Sequence, residues 1–183
     1  GPAVLAYLNE RDAVVKRLGD RFKAQPSEIV ERVTSLQEEL KSSQKALTAA
    51  RAELAVAKSA ALATQAVAVG EYQLLVARLD GVEGAGLQNA AQGLLDQLGD
   101  GAAVVLGGLP DPSDEGKVIL VAAFGKAVIA QGQQAGKFIG SIAKRCGGGG
   151  GGRPNLAQAG GRDGAALDAA LEAAREQLQA SVV

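Results

Sequence analysis

The sequence predicts an α+β chain: a long N-terminal helical hairpin or coiled-coil arm, then a mixed-sheet globular domain covered by helices. Three observations carry this. Residues 1–69 contain 2 of the 25 glycines and residues 70–183 the other 23, which is about three times the usual glycine usage in the second part. A 4–3 apolar spacing runs through the first part, and short apolar strands alternate with helical patterns through the second. The boundary is therefore drawn between an arm, 1–69, and a globular domain, 70–183.

In the arm, Val4, Leu5, Leu8, Val15 and Leu18 recur at helical spacing and stop at Gly19-Asp20, predicting a short first helix. Pro26 and the N-cap candidate Ser27 open a second. Its seam reads Ile29, Val33, Leu36, Leu40, Ser43, Leu47, Ala50, Leu54, Ala57, Ala61, with small residues alternating with large ones beyond Leu40. A helix over 27–66 extends about 60 Å, against about 25 Å for the first helix. The uncovered seam thus calls for a partner, from a second copy or from the rest of a longer protein. The bland alternative is a solvated arm whose Ala-rich half is simply a good helix former.

In the globular part, Glu71–Leu79 alternates as a strand ended by Asp80-Gly81, and Gly86–Leu98 reads as a helix through Leu87, Ala91, Leu94 and Leu95. Ala102–Leu106 and Lys117–Phe124 read as strands joined by the turn-rich GGLPDPSDEG. A helix from about Val128 to Arg145, a glycine stretch and a final helix over Asp163–Ala180, with seam Leu167, Leu171, Ala174, Leu178, complete the order.

Composition removes whole classes of chemistry. With no histidine and the single Cys146, the chain has no histidine-based or all-cysteine zinc site, no Ser-His-Asp triad, no Cys-His pair and no internal disulfide. No apolar run reaches a membrane span and there is no basic-then-apolar leader, so a cytoplasmic or organellar-stromal location is expected. There is no Met, and the chain opens on Gly1-Pro2. It is therefore read as an internal part of a longer protein whose first residues are a protease-cleavage scar.

The formal charge of −1 conceals an asymmetry. Lys126, Lys137, Lys144, Arg145, Arg153 and Arg162 fall in a 37-residue stretch without Asp or Glu, while the rest of the globular part carries 3 basic and 12 acidic residues. One polyanion-binding surface is the expectation, against the bland reading of a solvated face. Gly132, Gly136 and Gly140 form one helical row leading to Lys144. Each mid-helix glycine costs about 1 kcal/mol relative to alanine, so a row without Cβ atoms implies close approach of another backbone, either of the chain itself or of a nucleic acid. The run Gly147–Gly152 lacks a P-loop ending and does not follow a predicted strand, which argues against nucleotide hydrolysis. Amides of Gly148, Gly149, Gly150, Gly151 and Gly152 are candidates to receive phosphate oxygens, with Arg153 as a bidentate clamp and Asn155 and Gln158 as donors to sugar or base edges.

GGGGGGRPNLAQAGG, preceded by AGKFIGSIAKR and followed by a Leu/Ala helix, resembles the C-terminal domain of alanyl-tRNA synthetase. In that family a helical arm precedes a glycine-rich module called the DHH-associated domain. The resemblance spans essentially the whole chain and is most specific at Arg153-Pro154 and Ala157–Gly161. It implies a non-catalytic module that grips the outer corner of tRNA and helps couple charging with editing, with dimerisation through the arm in some members. It also implies that ATP, alanine and editing sites lie outside this chain, which needs no cofactor. Relatives often carry Lys within the glycine run; here that place is Gly149. Two further readings use the same residues: a dimerisation or protein-interaction module with a weakened RNA grip, paired through Ile29, Val33, Leu36, Leu40, Leu47 and Leu54, or a module for duplex DNA. An enzyme using Asp111, Asp114 and Glu115 is the weakest reading, since these sit in a turn-rich loop.

Overall fold

A computed structural model describes residues 1–182 and divides the chain into two compact units, Gly1–Ala49 and a second beginning at Ala50. In the first, α1 (Pro2–Phe22) runs through Gly19 and ends at Lys23 in the left-handed region, φ 50°, whose N–H donates to the Gly19 carbonyl. One glycine lowers helix propensity but does not stop a helix already propagating, which is why the expected end at Gly19-Asp20 is passed. Gln25, rather than Ser27, caps the next helical turn. Its N–H donates to Glu28 Oε2 at 3.0 Å, and its backbone carbonyl accepts from the Glu28 N–H at 2.9 Å. Pro26 has no N–H to satisfy and so takes the first position inside the turn, placing the cap one residue earlier. A 3₁₀ turn, Pro26–Glu28, leads into α2 (Ile29–Leu62).

The two helices meet chiefly at this turn. Ile29 is buried, and Val33 and Leu36 are half-buried. Further along α2, Leu40 and Leu47 are 59% and 51% exposed. The first helix therefore covers only the start of the seam.

In the second unit α2 ends in a 3₁₀ turn, Ala63–Gln65, before β1 (Val67–Val69). Then come β2 (Tyr72–Arg78), α3 (Gly84–Leu98), β3 (Ala102–Gly108), β4 (Val118–Phe124), α4 (Lys126–Ala130) and α5 (Ala135–Ala143). β5 (Gly149–Gly152), β6 (Leu156–Gly161) and α6 (Leu167–Ser181) complete the unit. The six strands lie in the order β1-β2-β3-β4-β6-β5; β2 and β3 are parallel, joined through α3, and every other pair is antiparallel. The expected mixed sheet is present.

One face of the sheet, with Leu74, Val105, Leu120 and Phe124, packs against Phe138, Ile139 and Ile142 of α5 and Leu167, Leu171 and Leu178 of α6. The Phe124 and Phe138 rings meet edge to face, 5.6 Å between centroids. The other face, with Leu75, Val104, Leu106 and Val121, packs against Leu87, Ala91 and Leu94 of α3 and Ala55 and Leu62 of α2. Coverage of both faces explains why β3 and β4 read as continuous apolar runs. Arg78 ties α6 to the sheet, donating to Asp168 at 2.9 Å and to Asp80. The Asp168 hydrogen bond raises its pKa further.

Two further expectations are corrected. The single helix predicted from Val128 to Arg145 is two helices and a 3₁₀ turn, Lys144–Cys146. Gly132 sits between the helices at φ 87°, a conformation that glycine adopts at no steric cost, so it ends α4 and leaves the row that Gly136 and Gly140 form. The glycine stretch, expected as a loop, is a strand. Gly149–Gly152 pairs with Gly160–Ala157 across a tight connection at Pro154-Asn155. The final helix starts at Leu167, and Asp163 accepts the Ala166 N–H at 3.2 Å ahead of it. Its seam, Leu167, Leu171, Ala174 and Leu178, is buried as expected.

Candidate nucleic-acid interface

The glycine strand β5 is the last strand of the sheet, so one of its edges has no neighbour. At the hairpin the Arg153 N–H donates to the Leu156 carbonyl at 3.0 Å. Pairing alternates from there: Gly151 and Gly149 face their β6 partners in hydrogen-bonded positions, whereas Gly150 and Gly152 turn N–H and C=O away from β6. Among the described residues these outward groups have no other backbone or side-chain partner.

Helix α5 lies against this edge. A Cβ on Gly136 would stand 2.6 Å from the Gly152 oxygen, and one on Gly140 would stand 2.8 Å from the Gly150 oxygen. The backbone that the glycine row admits is therefore that of the chain's own glycine strand. The helix needs glycine at 136 and 140 to seat there, whereas a Cβ on Gly150 or Gly152 would meet Ala159 or Ala157 of β6 instead.

Beside this contact runs an open groove of about 560 Å³ lined by Gln134, Lys137, Ser141 and Lys144 of α5 and the connected turn, and by Gly149–Gly152. Lys137, Ser141 and Lys144 are four and three residues apart and share a helix face. Their spacing along the axis is about 10 Å from end to end, so two ammonium groups lie beside the glycine strand, whose outward Gly150 and Gly152 groups are unpaired but partly covered by Gly136 and Gly140 of α5. This is the chemistry of a phosphate cradle.

The remaining expected residues are placed elsewhere. Gly148, Gln158 and Arg162 line a second cleft on the α3 side of the sheet, and Gly149 lines both. Lys126 opens α4, Arg145 sits in the turn after α5, and Arg153 and Asn155 flank the β5–β6 hairpin tip; none of these lines either cavity. All six basic residues are exposed, and among the described residues none makes an ion pair. Gln158 is held in place within the chain, with its side-chain oxygen already engaged. It is half-buried against Gly84, and its Oε1 accepts from Gln88 Nε2 at 2.8 Å. Lining residues that were not expected from sequence include Ser141 and Gln134, whose helical spacing from Lys137 was legible, and Lys117 and Glu83, which only the fold brings to the second cleft. Cys146 is wholly buried; its carbonyl accepts from the Arg162 and Asp163 N–H groups, and burial pushes the thiol pKa up.

Fold and groove together define a class: a mixed-sheet, helix-covered module whose glycine edge strand and α5 enclose a groove lined by two lysines. The DHHA1 domain matches residues 71–180, and the chain belongs to that family. The chain is 92% identical over 182 residues to an alanine–tRNA ligase of Prochlorococcus marinus strain MIT 9303, a match covering 100% of this chain and 20% of that protein. It is 84% identical over 179 residues to the alanine–tRNA ligase of Synechococcus sp. strain CC9311, covering 98% of this chain and 20% of the relative. The chain thus spans about a fifth of the curated relatives' length. In structure it is similar to the C-Ala domain of Aquifex aeolicus alanyl-tRNA synthetase, with TM-score 0.52 and 28% identity over 63% of this chain and 96% of that one. The resemblance read from the glycine run and its flanks is borne out. Among the described residues, no helix is long and apolar enough to cross a membrane.

Proposed function

We propose that this chain is a non-catalytic tRNA-binding module of an alanine–tRNA ligase, gripping the outer corner of tRNA and helping to couple aminoacylation with editing in the cytoplasm or an organellar stroma. In this reading residues 1–69 are the arm and 70–183 the RNA-binding domain. One observation carries it: Lys137 and Lys144 line one open groove with the exposed glycine edge strand Gly149–Gly152, and neither lysine has an ion-pair partner among the described residues. Lys126, Arg145 and Arg153 are exposed and add positive charge outside the groove. Tyr72, Phe124 and Phe138 are the aromatic residues of the sheet-bearing unit; all three pack on its core and none is exposed, so recognition follows backbone and shape rather than base stacking.

Contact with four to six phosphates lowers log affinity by roughly 3 to 5 per decade of salt. Titration of the chain with tRNA at two salt concentrations tests this; a slope near zero overturns the proposal. Equal binding of duplex DNA of matched charge replaces it with general polyanion binding.

A second reading, self-association through the arm, is favoured by Leu40, Leu47 and Leu54, which are 59%, 51% and 54% exposed along one heptad row of α2. The occupant is a second copy of the same seam. Sedimentation is expected to show a dimer for the parent chain and a monomer for Leu40→Asp or Leu47→Asp. A monomeric parent chain removes this reading without touching RNA binding.

A further inference from the structure

The second cleft, on the opposite face of the β5–β6 hairpin from the groove, has an opening of about 800 Å³. Its walls are Glu83-Gly84 at the start of α3, Lys117 and Val118 at the start of β4, the Gly147–Gly149 segment, and Gly160–Arg162 at the end of β6. We infer that this cleft is a second phosphate-binding site, which takes the other backbone strand of a folded RNA while the α5–β5 groove holds the first. The inference rests on the RNA-binding reading and adds a partner strand to it.

Three features lead there. Val118 and Gly161 are the last paired residues of β4 and β6, so Lys117 and Arg162 emerge one step beyond them on neighbouring strands and line the same space. Like charges on adjacent strands are destabilising unless an anion stands between them. Glu83 offsets only Lys117, at 3.7 Å. The Arg162 side chain has no hydrogen-bond or ion-pair partner among the described residues, although its backbone N–H is committed to Cys146. A guanidinium held on a fixed strand end with free donors suits a bidentate phosphate contact.

Gln158 is the second feature. Gln88 donates to its Oε1, which orients the side-chain amide and leaves its own NH₂ as a donor in the cleft wall. The third is the shared wall. Gly149 lines both cavities, so the root of β5 is a ridge only one backbone thick between two cationic spaces. A single unstructured strand fills one side of such a ridge. Two strands converging at a folded corner fill both.

The test measures affinity of the full chain for tRNA and for an unstructured polyuridine strand of similar length, by fluorescence anisotropy. Arg162→Ala/Lys117→Ala is expected to weaken tRNA binding roughly tenfold and to make its salt slope shallower by ~1–2, with polyuridine affinity unchanged. Glu83→Gln, which removes the one carboxylate of the cleft and frees Lys117, is expected to tighten tRNA binding and leave polyuridine alone. Unchanged tRNA affinity in both cleft variants, with Lys137→Ala/Lys144→Ala still weakening it, overturns the second site and leaves the groove standing. Equal losses for both RNAs in the cleft double variant also overturn it, since the cleft then acts only through general charge. No tRNA binding by the parent chain overturns the RNA reading itself, and this inference with it.

Discussion

Gly136→Ala and Gly140→Ala are each expected to destabilise the sheet-bearing unit by about 2–3 kcal/mol, the opposite sign from the ~1 kcal/mol gain that the same change gives in an open helix. The reason is the close seating of α5 on β5. The added methyl at Gly136 would meet the Gly152 oxygen at 2.6 Å and nitrogen at 2.9 Å, and at Gly140 the Gly150 oxygen at 2.8 Å. These are backbone atoms, so no rotamer change relieves the clash; the helix or the edge strand must move. Gly93→Ala is the internal control. It lies within α3, exposed, with nothing within 4 Å of the added carbon, and is expected to stabilise by about 0.5–1 kcal/mol. Urea unfolding followed by circular dichroism separates the two signs. If Gly136→Ala and Gly140→Ala shift the midpoint in the same direction as Gly93→Ala, the helix does not sit tightly on the strand.

Lys137→Ala/Lys144→Ala is expected to weaken tRNA binding by about 10- to 100-fold near 0.1 M salt and to make the salt slope shallower by ~2. Both side chains are exposed and unpaired among the described residues, so stability should change by less than about 0.5 kcal/mol. The converse change is Gly149→Lys. A Cβ there meets nothing within 4 Å, and the new ammonium would stand where the groove and the cleft adjoin. Tighter binding with a steeper slope is expected. A double variant that binds like the parent chain would remove the groove from the RNA interface and leave the basic residues outside it, Lys126 and Arg153, as the surface to test.

Much of the fold was legible because it rests on periodicity. Leu87, Ala91, Leu94 and Leu95 mark α3, and Leu167, Leu171, Ala174 and Leu178 mark α6, at spacings only one helix face satisfies. The β3 and β4 strands stood out as short apolar runs bounded by turn residues. The short β1 strand was not legible, since Val67–Val69 follows a helical pattern without a break other than Gly70, which turns it onto β2 at φ 59°. Nor was the strand character of Gly149–Gly152. Glycine has no side chain to alternate and the weakest backbone preference of any residue, so its conformation is set by what it pairs with. The glycine row of α5 was visible as an oddity, but its partner was not, because that partner is itself glycine.

The sequence alone determined the exclusion of histidine and disulfide chemistry, the segregation of positive charge into 126–162, the helical and apolar strand elements, and the family to which the glycine run points. These depend on composition and local order, which the chain carries with it. The tertiary structure alone decided that the hexaglycine is an edge strand, that α5 rather than an RNA backbone occupies its bare surface, and that Lys137 and Lys144 share one groove while Arg162 and Lys117 share another. Those are consequences of register and of which face each strand presents, and both are fixed by pairing between segments far apart in the chain.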